Sequence, residues 1–257
     1  MTFTDSKKIV ERLLKTESNF YLNLQSQQIM RELVSLKNGQ RSRSVFEAVK
    51  LFISKRLNFF SNIILALYSI STLIYFSLRK KHVKLHYLID YGNIVDFRSK
   101  MIWDVISSQN CLNIYRSINA KKSLFSLHTK KNAIFFDSLV ACFSIVNNIA
   151  DAFKMLGVKY NKCKKSNQYG IETEKHIACS ISQIMAIKLI LRLLKVEVAI
   201  MIDDPRVVPV LCFVFREYGI YTYGYQHGKF NEFHLGLKVE YFDHYLVWND
   251  YFKFLIK

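Results

Sequence analysis

The chain contains 257 residues, of which 51% are hydrophobic, and it carries a formal net charge of +17 at pH 7. This length allows one large domain or two small ones with a sizeable core, and the hydrophobic share is too low for a polytopic membrane protein. The positive charge predicts attraction to an anionic partner, such as nucleic acid, acidic lipid headgroups or phosphorylated substrates.

Residues 5–38 show the apolar spacing of two helices. Asp5 or Ser6 can cap the first helix, whose apolar stripe consists of Ile9, Val10, Leu13 and Leu14. The stripe of the second helix consists of Ile29, Met30, Leu33, Val34 and Leu36, and Gly39 provides its stop signal. We expect both helices to serve packing or docking. Because the first residues lack the apolar core of a signal peptide, the sequence predicts a cytosolic protein.

Residues 59–78, FFSNIILALYSISTLIYFSL, form an uncharged apolar segment. About 20 apolar residues are needed to cross a bilayer, but serine, threonine and asparagine dilute this segment. Basic residues flank it on both sides: Lys55, Arg56, Arg79, Lys80 and Lys81. Three interpretations remain open, namely a buried helix of a globular fold, a helix lying on the membrane surface, and a transmembrane span. The basic flanks suit the second, since they can hold acidic headgroups.

From residue 82 onward, short apolar runs alternate with longer helical patterns. The predicted strands are HVKLHYLIDYG, CLNIYRS, NAIFF, VEVAIMIDD, IYTYGYQHG and DHYLVWND. The predicted helices begin near Asp96, cover 137–156 and 177–194, and run from Pro205 to just before Gly219. This alternation predicts a parallel sheet covered on both faces. We therefore expect a Rossmann-like α/β domain over 81–257, preceded by an α-helical N-terminal region over 1–80.

Conspicuous polar residues follow three of the predicted strands. They are Asp90 after the first strand, Asp203, Asp204 and Arg206 after the fourth, and Gln226, His227, Gly228 and Lys229 after the fifth. Ligands of an open parallel sheet bind outside the carboxyl ends of its strands, so we expect these residues to bind substrate. His227 is the predicted catalytic residue, because an imidazole with a pKa near neutrality can act as a general base toward a hydroxyl. The glycines around it permit close approach of a ligand.

Each of these motifs also has a purely structural interpretation. Asp203 and Asp204 could cap a helix that opens at Pro205. Arg206 could pair with a neighbouring carboxylate instead of reaching a phosphate or sugar, and His227 could be a turn residue satisfied by backbone groups. A metal at the two aspartates would need further oxygen ligands that the sequence does not identify. We therefore predict no metal site.

The five cysteines are odd in number and widely spaced, and they form no CxxC pair: Cys111, Cys142, Cys163, Cys179 and Cys212. A zinc site and a disulfide framework are therefore not expected. Most of these thiols should be reduced and buried in the core.

One region resembles a known family. The stretch MIDDPRVVPVLCFVFREYGIYTYGYQHGKFNEF, followed by FDHYLVWNDYF, is similar to the bacterial surface-polysaccharide glycosyltransferases of the GT-B type, which include capsule and O-antigen enzymes. In that family a strand and a helix lead into a QHG loop, and an aspartate-containing strand follows soon after. The resemblance is good over 198–251, weaker over 82–156 and absent before that.

The resemblance implies an enzyme that is cytoplasmic and peripheral at the inner face of the cell membrane. It would transfer a sugar from a nucleotide-activated donor to a polysaccharide or lipid-linked acceptor, with His227 as the base or a phosphate-contacting group. The nucleotide-sugar would be the substrate, and neither a metal nor another cofactor is expected. In this family a second Rossmann-like domain holds most of the nucleotide contacts, and this sequence matches only the N-terminal half.

Several functional alternatives follow from that half match. The donor domain could belong to a longer protein or to a separate chain, or the protein could be a truncated and inactive relative. A noncatalytic, membrane-associated partner that docks onto a biosynthetic complex through 59–78 is a further alternative. A nucleic-acid-binding module is disfavoured, because tyrosine and phenylalanine lie mostly inside apolar runs and no nucleic-acid motif occurs.

Overall fold

The computed structural model describes residues 3–17, 45–79, 82–90, 110–117, 119–130, 132–144, 173–204, 206–225 and 241–247, together with 20, 24–26, 29–30 and 33. Its helices are α1 (Phe3–Glu17), α2 (Val45–Leu78), α3 (Ala120–Phe125), α4 (136–144), α5 (Thr173–Leu193) and α6 (Val208–Glu217), with a 3-10 turn at Leu127–Thr129. Its strands are β1 (His82–Asp90), β2 (Cys111–Ser117), β3 (Ala133–Phe135), β4 (Lys195–Ile202), β5 (Tyr221–Tyr225) and β6 (His244–Leu246).

The strands of the described chain form one parallel sheet in the order β3-β2-β1-β4-β5-β6. This sheet, with its helices, confirms the predicted Rossmann-like α/β fold. The same strand order occurs in Rossmann dinucleotide-binding sheets, and its direction reverses between β1 and β4. At the centre of the sheet, Tyr87 of β1 pairs with Ile114 of β2 and with Met201 of β4.

The central strand β1 is buried on both faces of the sheet. Val83 and Leu85 belong to the main core cluster, which also contains Ile187 and Ile190 of α5. Leu88 belongs to a second cluster on the opposite face. Successive residues of a strand point to opposite faces, so these two clusters represent the two layers that cover the sheet.

Polar side chains attach α2 to the edge strand β3. The backbone N–H of Phe135 donates to Ser69 Oγ at 2.8 Å, and Ser69 in turn donates to the carbonyl of Leu65 at 2.7 Å. The Ser138 hydroxyl donates to Asn62 Oδ1 at 3.0 Å. An edge strand exposes backbone groups that need partners, and α2 supplies one. Some of the polar residues that dilute segment 59–78 therefore have a structural role.

The start of α6 differs from the prediction that it opens at Pro205. The helix begins at Val208, with Pro209 in its first turn. The carbonyl of Asp204 accepts hydrogen bonds from the N–H groups of Val207 and Val208, at 3.2 and 3.0 Å. These bonds form a turn before the helix, and the helix therefore begins later in the sequence than predicted.

The predicted end of α6 at Gly219 is confirmed. Gly219 has φ 65°, a left-handed conformation that glycine adopts without steric cost. Its N–H donates to the carbonyl of Arg216 at 3.2 Å, and the N–H of Ile220 donates to the carbonyl of Phe215 at 2.9 Å. This pair of bonds is a Schellman motif, which satisfies carbonyls at the end of the helix.

The N-terminal residues pack through the predicted apolar stripes. Val10 and Leu13 of α1 form a buried cluster with Ile29, Met30 and Leu33, and Ile177 of α5 packs against it. The predicted Val34, Leu36 and Gly39 lie outside the described residues, as do the helix near Asp96 and residues 145–156. Sequence reasoning missed α3, which is short and begins after the capping side chain of Asn119.

Gly224 in β5 is tightly enclosed by aromatic rings. A Cβ atom at this position would lie 2.6 Å from Cδ2 of Tyr245 and 2.8 Å from the ring of Phe242. Real Cβ atoms do not approach other atoms so closely, so the glycine is required by packing within the sheet layer. The glycine on the N-terminal side of His227 therefore has a structural explanation.

We expect Gly224→Ala to lower the free energy of unfolding by about 1–3 kcal/mol, because the added methyl group overpacks the site. Urea denaturation followed by circular dichroism measures this cost. In a Phe242→Leu background, which leaves more room, the same substitution should cost less. An equal cost in both backgrounds would contradict the packing explanation.

Candidate functional site

The carboxyl ends of β1, β2 and β4 lie side by side at the point where the strand order reverses. Asp90 ends β1 and pairs in register with Ser117, which ends β2. Asp203 and Asp204 directly follow β4 on the other side of β1. In open parallel sheets the crevice outside such a reversal binds ligands, so this edge is the candidate site.

Asp204 is the centre of a buried polar network at this edge. Its Oδ2 atom accepts a hydrogen bond from the Tyr87 hydroxyl at 3.0 Å and forms an ion pair with Arg116. Its Oδ1 atom accepts from the backbone N–H of Arg206 at 3.2 Å. Asp204 itself is 3% exposed. One carboxylate thus connects β1, β2 and the turn that follows β4.

The charges in this network reinforce each other. Burial, the largest single cause, lowers the pKa of Arg116, but Asp204, Tyr87 and Asp137 together raise that pKa overall. Burial, with the Asp204 charge as the next cause, also raises the pKa of Tyr87. The guanidinium therefore stays charged and the phenol stays protonated, which is the arrangement that keeps every partner of Asp204 a donor.

Asp137, at the start of α4, lies beside this network. It keeps partial exposure, yet burial around its carboxyl group raises its pKa to about 6, with Asp204 adding to the rise. Arg116, Arg206 and a hydrogen bond from the backbone of Ser117 act in the opposite direction. A carboxyl group with such a pKa can gain or lose a proton near neutral pH, which is a property of acid-base catalysts.

Asp90 lies at the same edge but on the opposite face of the sheet. Its Oδ2 atom accepts from the Ser123 hydroxyl at 2.6 Å and from Lys130 Nζ at 2.5 Å. Asp90 is 0% exposed and Lys130 is 5% exposed. The structure therefore holds Asp90 in an internal ion pair. It brings Asp90 to the same edge as Asp204 without joining the two in one cluster.

Asp203 and Arg206 complete the described part of the predicted site. Asp203 is buried, and it accepts a hydrogen bond from the Tyr245 hydroxyl of β6 at 2.7 Å. Arg206 is only partly buried. Among the predicted substrate-binding residues that the structure describes, Arg206 has the most contact with solvent.

The remaining predicted residues lie outside the described residues: Gln226, His227, Gly228 and Lys229. They follow Tyr225, the last residue of β5, directly in the sequence. Their assignment as catalytic and substrate-binding groups stays a prediction.

Sequence reasoning missed three residues of the Asp204 network. Arg116 and Asp137 stand at or just after predicted strand ends, so the rule that selected Asp90 could also have selected them. Tyr87 lies inside an apolar run and gave no such signal. Lys130, the partner of Asp90, also lacked a signal because its pairing depends on the folded chain.

Among the described residues, no group of three His, Cys, Asp or Glu side chains is arranged to hold a metal ion. Comparisons with protein-family models, curated proteins and solved structures gave no match to this chain. The arguments about function therefore depend on the fold and on the chemistry of the sheet edge.

We expect Arg116→Met to destabilise the protein by about 3–5 kcal/mol, because it leaves the Asp204 carboxylate buried without its counter-charge. The double variant Arg116→Met/Asp204→Asn should recover part of that loss in urea denaturation. If the double variant were no more stable than Arg116→Met alone, the unpaired Asp204 carboxylate would not be the source of the effect.

His86 in β1 provides a pH-dependent contribution to stability. It is 0% exposed, and its Nε2 atom lies 3.1 Å from the Tyr225 hydroxyl, across β4. Burial lowers the pKa of His86 from 6.5 to about 3. The unfolded chain therefore binds a proton below pH 6.5 that the folded chain binds only near pH 3, so stability decreases as the pH falls through this window.

We expect the wild-type protein to lose about 2 kcal/mol more stability than His86→Gln when the pH falls from about 7 to about 5. Asp137 acts with the opposite sign, since its raised pKa favours the folded state as it becomes protonated below about pH 6. The difference in stability between the wild type and His86→Gln excludes the contribution of Asp137, because both proteins contain that residue. Urea denaturation at each pH measures the difference, and parallel profiles would contradict the assignment.

Proposed function

We propose that this chain is the Rossmann-like, acceptor-side half of a nucleotide-sugar-dependent glycosyltransferase of surface-polysaccharide biosynthesis. The observation that carries the proposal is the meeting of Arg116, Asp137, Asp204 and Arg206 at the carboxyl edge beside the strand-order reversal. The sequence resemblance over 198–251, which includes the QHG loop, supports the same reading.

The reaction requires a base and a cationic site. The acceptor hydroxyl loses its proton as its oxygen bonds to the anomeric carbon, and the bond from that carbon to the nucleotide phosphate breaks. His227 is the proposed base, and Asp137, with its pKa of about 6, is a second candidate for holding that proton. The charge that develops on the leaving phosphate suits the guanidinium of Arg206.

A noncatalytic role is the second candidate, and one observation favours it. Asp90 and Asp204, two of the predicted substrate-binding residues, are buried and ion-paired with Lys130 and Arg116. Carboxylates held in this way stabilise a scaffold without requiring a ligand. A protein of this kind would assemble with a biosynthetic enzyme and bind no nucleotide-sugar itself.

Nucleotide-sugar binding separates the two candidates. We expect one member of a panel of uridine, guanosine and cytidine sugar nucleotides to raise the melting temperature of the protein, and Arg206→Ala to weaken that binding at least about tenfold. Arg192→Ala is the matched control, because Arg192 is an exposed arginine of α5 just before β4 and therefore lies at the opposite edge of the sheet. Because a second domain holds most of the nucleotide contacts in the enzymes that the sequence resembles, the panel is applied to the protein as purified from its host, together with any chain that copurifies. A folded preparation that binds none of the panel would favour the noncatalytic role.

We expect His227→Ala to abolish sugar transfer, measured with any donor that binds, while the melting temperature stays near that of the wild type. The physical reason is the loss of the group that removes the acceptor proton. Asp137→Asn in parallel tests the second base candidate. Wild-type turnover by His227→Ala would identify the histidine as a structural turn residue.

A further inference from the structure

One side of α2 carries a continuous line of exposed apolar residues. They recur at alternating spacings of three and four residues, and the line is about 32 Å long. We name this surface the α2 stripe, and it consists of Leu57, Phe60, Ile64, Leu67, Ile74 and Leu78, with Ser71 at the one polar position. Leu67 is 63% exposed and Leu78 is 77% exposed. Soluble proteins rarely leave a contiguous apolar surface of this extent uncovered.

The opposite side of α2 packs against the α/β domain. Leu65, Leu73 and Phe76 are buried, and the Ser69 hydroxyl accepts the hydrogen bond from β3. By length and composition Leu57–Leu78 could cross a membrane, as could His176–Leu193. However, α5 contributes Ile187 and Ile190 to the main core, and Asn62 and Ser69 attach α2 to α4 and to the sheet edge. Among the described residues of α2, those of the α2 stripe face outward.

The basic residues at the ends of the α2 stripe are complementary in charge to an anionic surface. Lys55 and Arg56 lie in the turn of α2 before the stripe, and Arg79 follows its last residue. The sequence from 57 to 79 contains no acidic residue. Arg79 lies over the ring of Tyr75 at 4.3 Å, and Tyr75 is itself 48% exposed. Aromatic and basic residues at the ends of an apolar helix face are typical of helices that lie in the headgroup region of a bilayer.

We propose that the α2 stripe is a docking surface for an anionic lipid bilayer, with α2 lying parallel to the membrane plane and its opposite side holding the sheet. This proposal does not depend on the proposed glycosyltransferase function. A second copy of the chain is the competing occupant, since the spacing of the stripe also suits a helix pair. The stripe lacks the acidic residues that would pair with a copy's basic ends, and each copy carries a net charge of +17.

The test is sedimentation of the full chain with phosphatidylcholine vesicles that contain or lack phosphatidylglycerol. We expect binding to the phosphatidylglycerol vesicles, and a decrease in that binding as salt increases. Leu67→Glu should weaken binding at least about tenfold, because it places a charge at the middle of the stripe. Arg79→Gln should weaken it about fivefold, by removing one headgroup contact.

Tyr221→Glu is the matched control, because Tyr221 is 61% exposed and belongs to β5, away from α2. It should bind vesicles like the wild type. Circular dichroism of each variant checks that the exposed substitution leaves the fold intact.

Three results would overturn the proposal. The first is equal vesicle binding by Leu67→Glu and the wild type. The second is a dimer in analytical ultracentrifugation that Leu67→Glu dissociates, which would assign the stripe to a second copy. The third is failure of alkaline carbonate to extract the wild-type protein from vesicles, which would indicate that α2 spans the membrane.

Discussion

The ion pair between Arg116 and Asp204, with the hydroxyl of Tyr87 as third partner, fixes the centre of this protein. The three residues come from β2, the turn after β4, and β1, and the carboxylate is buried where a lone charge would be costly. The observed order, with β1 between β2 and β4, brings the three together. Burial raises the pKa of Asp137, and the same charges modify that pKa further. One network therefore lies at the reversal in strand order and also contributes to the acid-base properties of the edge.

The polar residues at this edge form two groups. The buried pairs form a structural frame, and the other residues are less buried or follow β5 in the sequence. Asp90 with Lys130, Asp203 with Tyr245, and Asp204 with Arg116 are buried pairs, and they use their bonding capacity to hold strands and turns together. Asp137 and Arg206 are less buried, and residues 226–229 directly follow β5 in the sequence. A frame of this kind can position functional groups accurately because its own members have little freedom. If the proposed function holds, its chemistry rests with Asp137, Arg206 and residues 226–229.

The sequence predicted local structure well and long-range pairing poorly, for physical reasons. The run Cys111–Ser117 was identified as a strand to the residue, since its apolar pattern and its flanks are local signals. The start of α6 was wrong because the turn formed by Asp204 depends on a few backbone bonds. Gly224 was interpreted as space for a ligand, whereas Phe242 and Tyr245 fill that space from another strand. The partners of Asp90 and Asp204 come from distant positions, and no local pattern encodes such contacts.

The two sides of α2 illustrate the same limit and also connect the two proposals. Leu65 and Leu67 are two residues apart and equally apolar, so the sequence could not tell which would be buried and which exposed. Asn62 contacts Ser138 of α4, just after β3, and Ser69 contacts Phe135 of β3, so the earlier residues of α2 lie toward the carboxyl end of that strand. If α2 lies in the membrane plane, the strands also run roughly along it. The carboxyl edge then opens sideways over the bilayer surface, where an acceptor anchored in lipid would reach it without leaving the membrane.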